Sequence, residues 1–145
     1  MTVEEVLEQK GRQVHTIEGT ATLAEAARAL HQANIGCIAV LSRGSIMGLV
    51  GEREITHAVA QAGPAALQVT VQKVMTRLTA CSSADDLESI SRRMTGERVR
   101  HILVLDAGRM AGIISIGDVL KHRLDQCQLE VGVLRDVARS RVLSH

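Results

Sequence analysis

The sequence predicts a mixed α/β protein of the α+β kind, made of two copies of one β-α-β-β-α unit. Three observations predict it. First, sliding the 145-residue chain so that Leu23 falls on Leu87 aligns residues 14–55 with 78–119 without a gap. Leu23/Leu87, Arg28/Arg92, Ile38/Ile102, Val40/Val104, Leu41/Leu105, Gly44/Gly108 and Gly48/Gly112 are then identical. Apolar positions also coincide at Val14/Leu78, Ala26/Ile90, Leu30/Met94, Ile35/Val99, Leu49/Ile113, Val50/Ile114 and Ile55/Val119, the mark of a repeated supersecondary unit. Second, each copy carries two apolar runs about a glycine, CIAVLSRGSIMGLVG and HILVLDAGRMAGIIS, which read as hairpins. Third, each hairpin follows a helix signal with apolar residues on one face, Leu23, Ala26, Ala27 and Leu30 in one copy, Leu87, Ile90 and Met94 in the other.

Taken in order, Thr2 to Gln9 form a short helix with Val3, Val6 and Leu7 on one side, and residues 1–13 are helix and lead-in. The first repeat spans 14–63. It opens with the strand VHTI, starts its helix at the capping box Thr22-x-x-Glu25, turns at Gly44 and closes with a helix from about Arg53. Gly63-Pro64 opens a connector, 64–77. The second repeat, 78–127, repeats the plan from the strand LTAC, with Asp85-x-x-Glu88 starting its helix, Gly108 in its turn and a helix from about Gly117. Neither copy has the apolar surface to stand alone, so the two are expected to pack sheet against sheet as pseudo-two-fold halves of one body. The last helix runs on through a tail, 128–145, with Leu120, Leu124, Cys127, Val131, Leu134 and Ala138 four and three apart. That spacing suits a helix-helix seam, weakened by Gly132, or a helix lying on its own domain.

Composition narrows function. Net charge is +1, so no global field gathers nucleic acid or anionic membrane. Phe, Tyr and Trp are absent, which removes stacking platforms for single strands and leaves aliphatic walls for any pocket. No apolar run approaches the roughly 20 residues of a bilayer crossing, and MTVEEVLEQKG is unlike a signal peptide. Cys37, Cys81 and Cys127 are odd in number and form no CxxC pair; they read as reduced thiols of a cytoplasmic protein and not as a zinc site.

The motifs NIGCIAVLSRGSIMGLVGEREIT, KVMT at Lys73–Thr76, and RVRHILVLDAGRMAGIISIGDVLK resemble a pair of CBS domains, a Bateman module of the stand-alone prokaryotic kind. The resemblance covers nearly the whole chain, including the opening TVEEVLEQKG. It implies a regulatory sensor and homodimer, no enzyme and no required cofactor. The implied ligand is adenosine-containing (AMP, ADP, ATP, NAD(H) or S-adenosylmethionine), held in clefts between the repeats, with output in trans or through the oligomer.

In that family a Ser/Thr-x-x-Asp closes the second hairpin strand and its acid holds the ribose hydroxyls; Ser115 and Asp118 match it. A carboxylate can accept two hydrogen bonds from a vicinal diol, Ser115 stands beside unpaired helical amides suited to phosphate, and Gly117 lets a ligand approach the backbone. Ser-x-x-Asp is equally a helix start, Ser115 as N-cap and Asp118 in the first turn, so both readings stand. The family arrangement implies a main cleft of Ile114, Ser115, Gly117 and Asp118 facing Thr16, Ile17, Ile35, Gly36, Cys37 and Ile38. In the other copy Gly51 replaces Ser115 and Glu54 replaces Asp118. That departure implies a second, weaker cleft of Arg53 and Glu54 facing Thr79, Val99, Arg100, His101 and Ile102. Arg98, Arg100 and His101 form a basic group that either meets phosphates or is a solvated rim. Arg92 and Arg93 read as solvent-facing.

Catalytic alternatives have little support. Gly112-x-x-x-x-Gly117 is followed by Asp118 where a P-loop needs lysine, and the six histidines form no HExxH. A structural dimerisation module with degenerate clefts remains the principal alternative, and an unrecognised enzyme the lesser one.

Overall fold

A computed structural model describes residues 1–143, and side chains through 141. Helix α1 (Val3–Lys10) leads into repeat 1: β1 (Thr16–Glu18), α2 (Leu23–Ala33), β2 (Cys37–Ser42), β3 (Ser45–Gly51) and α3 (Glu52–Ala62). Two 3₁₀ turns, Gly63–Gln68 and Val71–Lys73, and β4 (Thr76–Arg77) connect it to repeat 2. That repeat holds β5 (Ala80–Cys81), α4 (Leu87–Glu97), β6 (His101–Asp106), β7 (Arg109–Ser115) and α5 (Ile116–Leu143). Residues 144–145, His145 among them, lie outside the described part of the expected tail.

One sheet has the order β1-β2-β3-β4, the other β5-β6-β7. In each, a parallel strand lies beside an antiparallel hairpin. The repeat extends to unusual backbone positions. Asn34 and Arg98 end α2 and α4 in the left-handed conformation. Arg43-Gly44 and Ala107-Gly108 have φ of 51°, 78°, 51° and 76°, the paired positive values of a two-residue type I′ turn. Bulges fall between Val40 and Leu41 and between Val104 and Leu105. Thr22 and Glu25 form the expected capping box. In the second copy the cap is Asp86, which accepts from Ser89 N–H, and not Asp85. Asp85 instead closes a tighter turn by accepting from Ser82 N–H at 2.9 Å.

Strand alternation divides the apolar residues between three cores. Ile38, Val40 and Val50 face α2 with Leu23, Ala26 and Leu30. Ile102, Val104 and Ile114 face α4 with Leu87, Ile90 and Met94. Cys37, Ala39 and Leu49 look the other way and meet Met110 of repeat 2, closing the expected sheet-to-sheet seam. The alternation follows from the period of two along a strand.

The connector is more than a link. Val71 is fully buried in the core of repeat 1, and β4 pairs with β3. Conversely, Val3, Val6 and Leu7 of α1 are fully buried in the core of repeat 2. Thus the segment before each repeat packs on the other one. Thr2 bridges the cap residue Asp86, as Thr70 bridges the cap residue Thr22. A Cβ at Gly112 would come within 2.5 Å of Leu7, and one at Gly48 would fall on the backbone of Thr76 beside Met75. Those two glycines are identical in the repeats because each admits a lead-in segment. Among the described residues no helix is long and apolar enough to cross a membrane.

Candidate functional site

Both hairpins end where a helix begins, and both first-turn acids fold back on that junction. Ser115 N–H donates to Asp118 Oδ2 at 2.8 Å, and Asp118 N–H donates to Ser115 Oγ at 3.1 Å. Gly51 N–H donates to Glu54 Oε2 at 3.0 Å. Helix starting is therefore a role that both acids fulfil, and each keeps a second carboxylate oxygen beyond it.

The two sides differ in what else reaches the acid. Lys10, at the end of α1, donates from Nζ to Asp118 Oδ2 at 2.6 Å and to Ile113 O at 2.7 Å. Burial works against the charge on Asp118, but Lys10 and the Ser115 amide and hydroxyl outweigh it and hold the carboxyl below its usual range. Among the described residues Glu54 has no ion pair.

A cleft of about 1020 Å³ opens on the Glu54 side, between the repeats. Arg53, Glu54, Thr79, Val99, Arg100 and His101, expected together from the sequence, line it, as does Arg98. So do Gly36 and Cys37, which the sequence assigned to the Asp118 side. The described cavity between the repeats thus adjoins Glu54, the side expected to bind more weakly. Ser115, Gly117 and Asp118 lie outside it, as do Thr16, Ile17 and Ile35; the last two pack against the repeat 1 core. Ile38, Ile102 and Ile114 do not offer side chains to a cleft, because strand alternation sends them into the helix-facing cores.

Reading the sequence missed several lining residues. Lys73, Val74 and Arg77 come from the connector, and His57 and Gln61 from the far turns of α3. Arg93 corrects the solvent-facing expectation: it lines the cleft and donates from Nη1 to Ala80 O at 2.9 Å. Its counterpart Arg92 does face solvent. Their difference was legible as a 100° step around the helix, once Ile90 and Met94 mark the buried face. Lys10 had no local signal, since its contact spans most of the chain.

Two details tie the cleft to the junction. Arg53 Nη1 crosses it and donates to Arg98 O at 3.2 Å. His101 packs against the backbone of Gly36, where a Cβ would stand 3.4 Å from Nε2. Burial pushes its pKa down, with Lys10 acting the same way and Glu54 and Asp118 partly countering it. Cys37, buried and near Glu54, has its thiol pushed up to about 12; Cys81 is raised to about 11, mainly by burial.

The loss of the Ser115 hydroxyl in copy one has a steric cause. A Cβ at Gly51 would fall on Gly36 O, the carbonyl to which Glu52 N–H donates. Gly51→Ser is therefore expected to cost about 1–3 kcal/mol, as overpacking against backbone does. Urea unfolding followed by far-ultraviolet circular dichroism checks it.

Comparisons with known proteins agree with this geometry. The CBS domain family model matches residues 3–61 and 71–125. The CBS domain-containing protein YhcV of Bacillus subtilis is 29% identical over 113 residues, 77% of this chain and 80% of that protein. The crystal structure of the CBS-domain containing protein ATU1752 from Agrobacterium tumefaciens superimposes with a TM-score of 0.82 at 40% identity, covering 85% of this chain and 99% of that one. CBS domain protein PAE2072 from Pyrobaculum aerophilum, complexed with AMP, shares the fold with a TM-score of 0.72 at 24% identity over 81% of this chain and 89% of that one. The chain belongs to the CBS-domain family, as a tandem pair forming one regulatory module.

Proposed function

We propose that the crevice between the repeats binds an adenosine-containing phosphate ester, and that the Glu54 side is its first site. The cleft itself carries this reading. Its volume lies at the upper end of the range usual for small-molecule pockets, about 300–1,000 Å³. Its walls hold six cations (Arg53, Lys73, Arg77, Arg93, Arg98, Arg100) against three acids (Glu52, Glu54, Glu97), so a local positive field stands in a chain with net charge +1. Glu54 Oε1 is suited to the ribose diol, and the arginines to phosphate oxygens. Val74, Leu78 and Val99 supply an aliphatic bed for the base. The AMP held by the Pyrobaculum protein motivates the choice of ligand class.

Such a ligand would touch Glu54 and Arg53 of repeat 1 together with Thr79 and Arg100 of repeat 2. It can then favour one relative setting of the repeats, by its differential affinity for the two settings. Calorimetry against AMP, ADP, ATP, NAD(H) and S-adenosylmethionine tests the proposal. One equivalent per chain is expected, with phosphate-bearing ligands ahead of the cationic S-adenosylmethionine. Glu54→Gln and Arg100→Ala are each expected to weaken binding about tenfold or more, the loss of one charge-assisted hydrogen bond. At 100 times the dissociation constant, stabilisation of about 2.7 kcal/mol should raise the melting temperature by several degrees. No binding from the whole panel, with the fold intact, sinks the reading in favour of a structural dimerisation module.

A further inference from the structure

After His122, which is buried, α5 leaves the body. From 123 through 141 every residue is exposed except Gly132, which is half-buried. At 1.5 Å per residue the stretch from 123 to Leu143 projects about 31 Å. In proteins most helical stability comes from packing an apolar face and not from propensity. Its exposed large apolar residues include Leu124 (61% exposed), Val131 and Leu134 (68% exposed), and Leu120 is exposed one turn before them.

We propose that this stretch pairs with the same stretch of a second copy as a parallel two-stranded coiled coil. Leu120, Leu124, Cys127, Val131, Leu134 and Ala138 recur at four, three, four, three and four, the a/d pattern of a coiled coil. Leucine fills the d positions on either side of Cys127, and Val131 sits at an a position, a distribution that favours two strands.

Charge chooses the direction. In a parallel pair, g position Glu130 of one copy meets e position Arg135 of the other, twice by symmetry. The antiparallel register that keeps all six layers instead sets Glu130 against Glu130, and Lys121 against Arg135. Gly132 falls at b, on the outer side, with nothing near its missing Cβ, so it lowers helix propensity without opening the seam. Val137 falls at g, beside the seam, whereas Leu129 at f and Val133 at c lie on the outer side, four apart. That patch is shorter than the seam and serves as the control surface.

Cys127 reports the pairing. It is exposed, whereas Cys37 and Cys81 are buried with raised thiol pKa values and few thiolates. A parallel, in-register d layer brings Cys127 of the two copies face to face. Diamide, which accepts the two electrons and two protons released as the S–S bond forms, is added to the full chain, and dimer is read on a non-reducing gel. A disulfide-linked dimer is expected, absent in Cys127→Ser. Leu124→Glu with Leu134→Glu should slow its formation more than about tenfold, while Val133→Glu changes it less than about twofold. Glu130→Arg should slow it, and adding Arg135→Glu to the same chain should restore it. An antiparallel pair, or a foreign helix on this face, leaves Cys127 without its copy opposite and yields no such dimer. That result, or failure of the charge swap to rescue, overturns the proposal. Because no nucleotide enters the experiment, its outcome is independent of the ligand reading.

Discussion

Leu7→Ala is expected to lower the unfolding free energy by about 2–5 kcal/mol, a large share of the 5–15 kcal/mol that a domain of this kind possesses. Leu7 is fully buried, with Val3 and Val6, in the core of repeat 2, although it precedes repeat 1 in the chain. Its methyl groups fill the space left by Gly112, where backbone and side chain approach too closely for a Cβ. Truncation leaves a cavity that the rigid hairpin under Gly112 cannot close, which puts the cost toward the upper end. The same side chain seats α1, so its loss also frees the end of the helix that carries Lys10. Urea unfolding by circular dichroism measures the first effect, since the chain has no tryptophan or tyrosine for fluorescence. A loss below about 1 kcal/mol would mean that α1 is an appendage and not part of the repeat 2 core.

This packing shows where reading the sequence succeeded and where it stopped. The hairpins, their glycine turns and the Thr22 cap were legible because the determinants lie within a few residues of one another. The parity of each strand was equally legible. Placing Ile38 and Ile102 on a cleft conflicted with their alternation against Cys37 and His101, and the structure resolves it in favour of the core. The exchange of lead-in segments was not legible, because α1 is amphipathic in a way that fits either repeat. Only the pairing of Leu7 with Gly112 and of Met75 with Gly48 assigns partners, and that is information about shape. The difference in what surrounds the two acids follows from it. One lead-in is a helix ending in Lys10 beside Asp118, and the other is a connector ending in a strand beside the Glu54 cleft.

That asymmetry yields the last expectation, which rests on the proposed ligand class. Lys10→Met should add a second nucleotide equivalent per chain, on the Asp118 side, while the Glu54 equivalent stays within about twofold. The ammonium now occupies Oδ2 of Asp118, the oxygen that also caps α5, so a ribose diol that is to use both carboxylate oxygens must displace a charge-assisted hydrogen bond. Such bonds contribute about 1.5–3 kcal/mol, so removing the competitor is expected to strengthen diol binding about 10- to 100-fold. The same substitution has a signature in pH that needs no ligand. The folded pKa of Asp118 is depressed, so its ionised form stabilises the fold at pH above the unfolded value of about 3.9, and this is lost as pH falls through the lower folded value. Without Lys10 the folded value rises, since burial then meets less opposition, and the acid limb of the stability curve moves to higher pH. Acid titration by circular dichroism reads that shift, and calorimetry counts the sites. If the acid limb moves and the count stays at one, Lys10 only braces α1 against repeat 2. If both change, the lead-in helix decides which of the two like clefts is open.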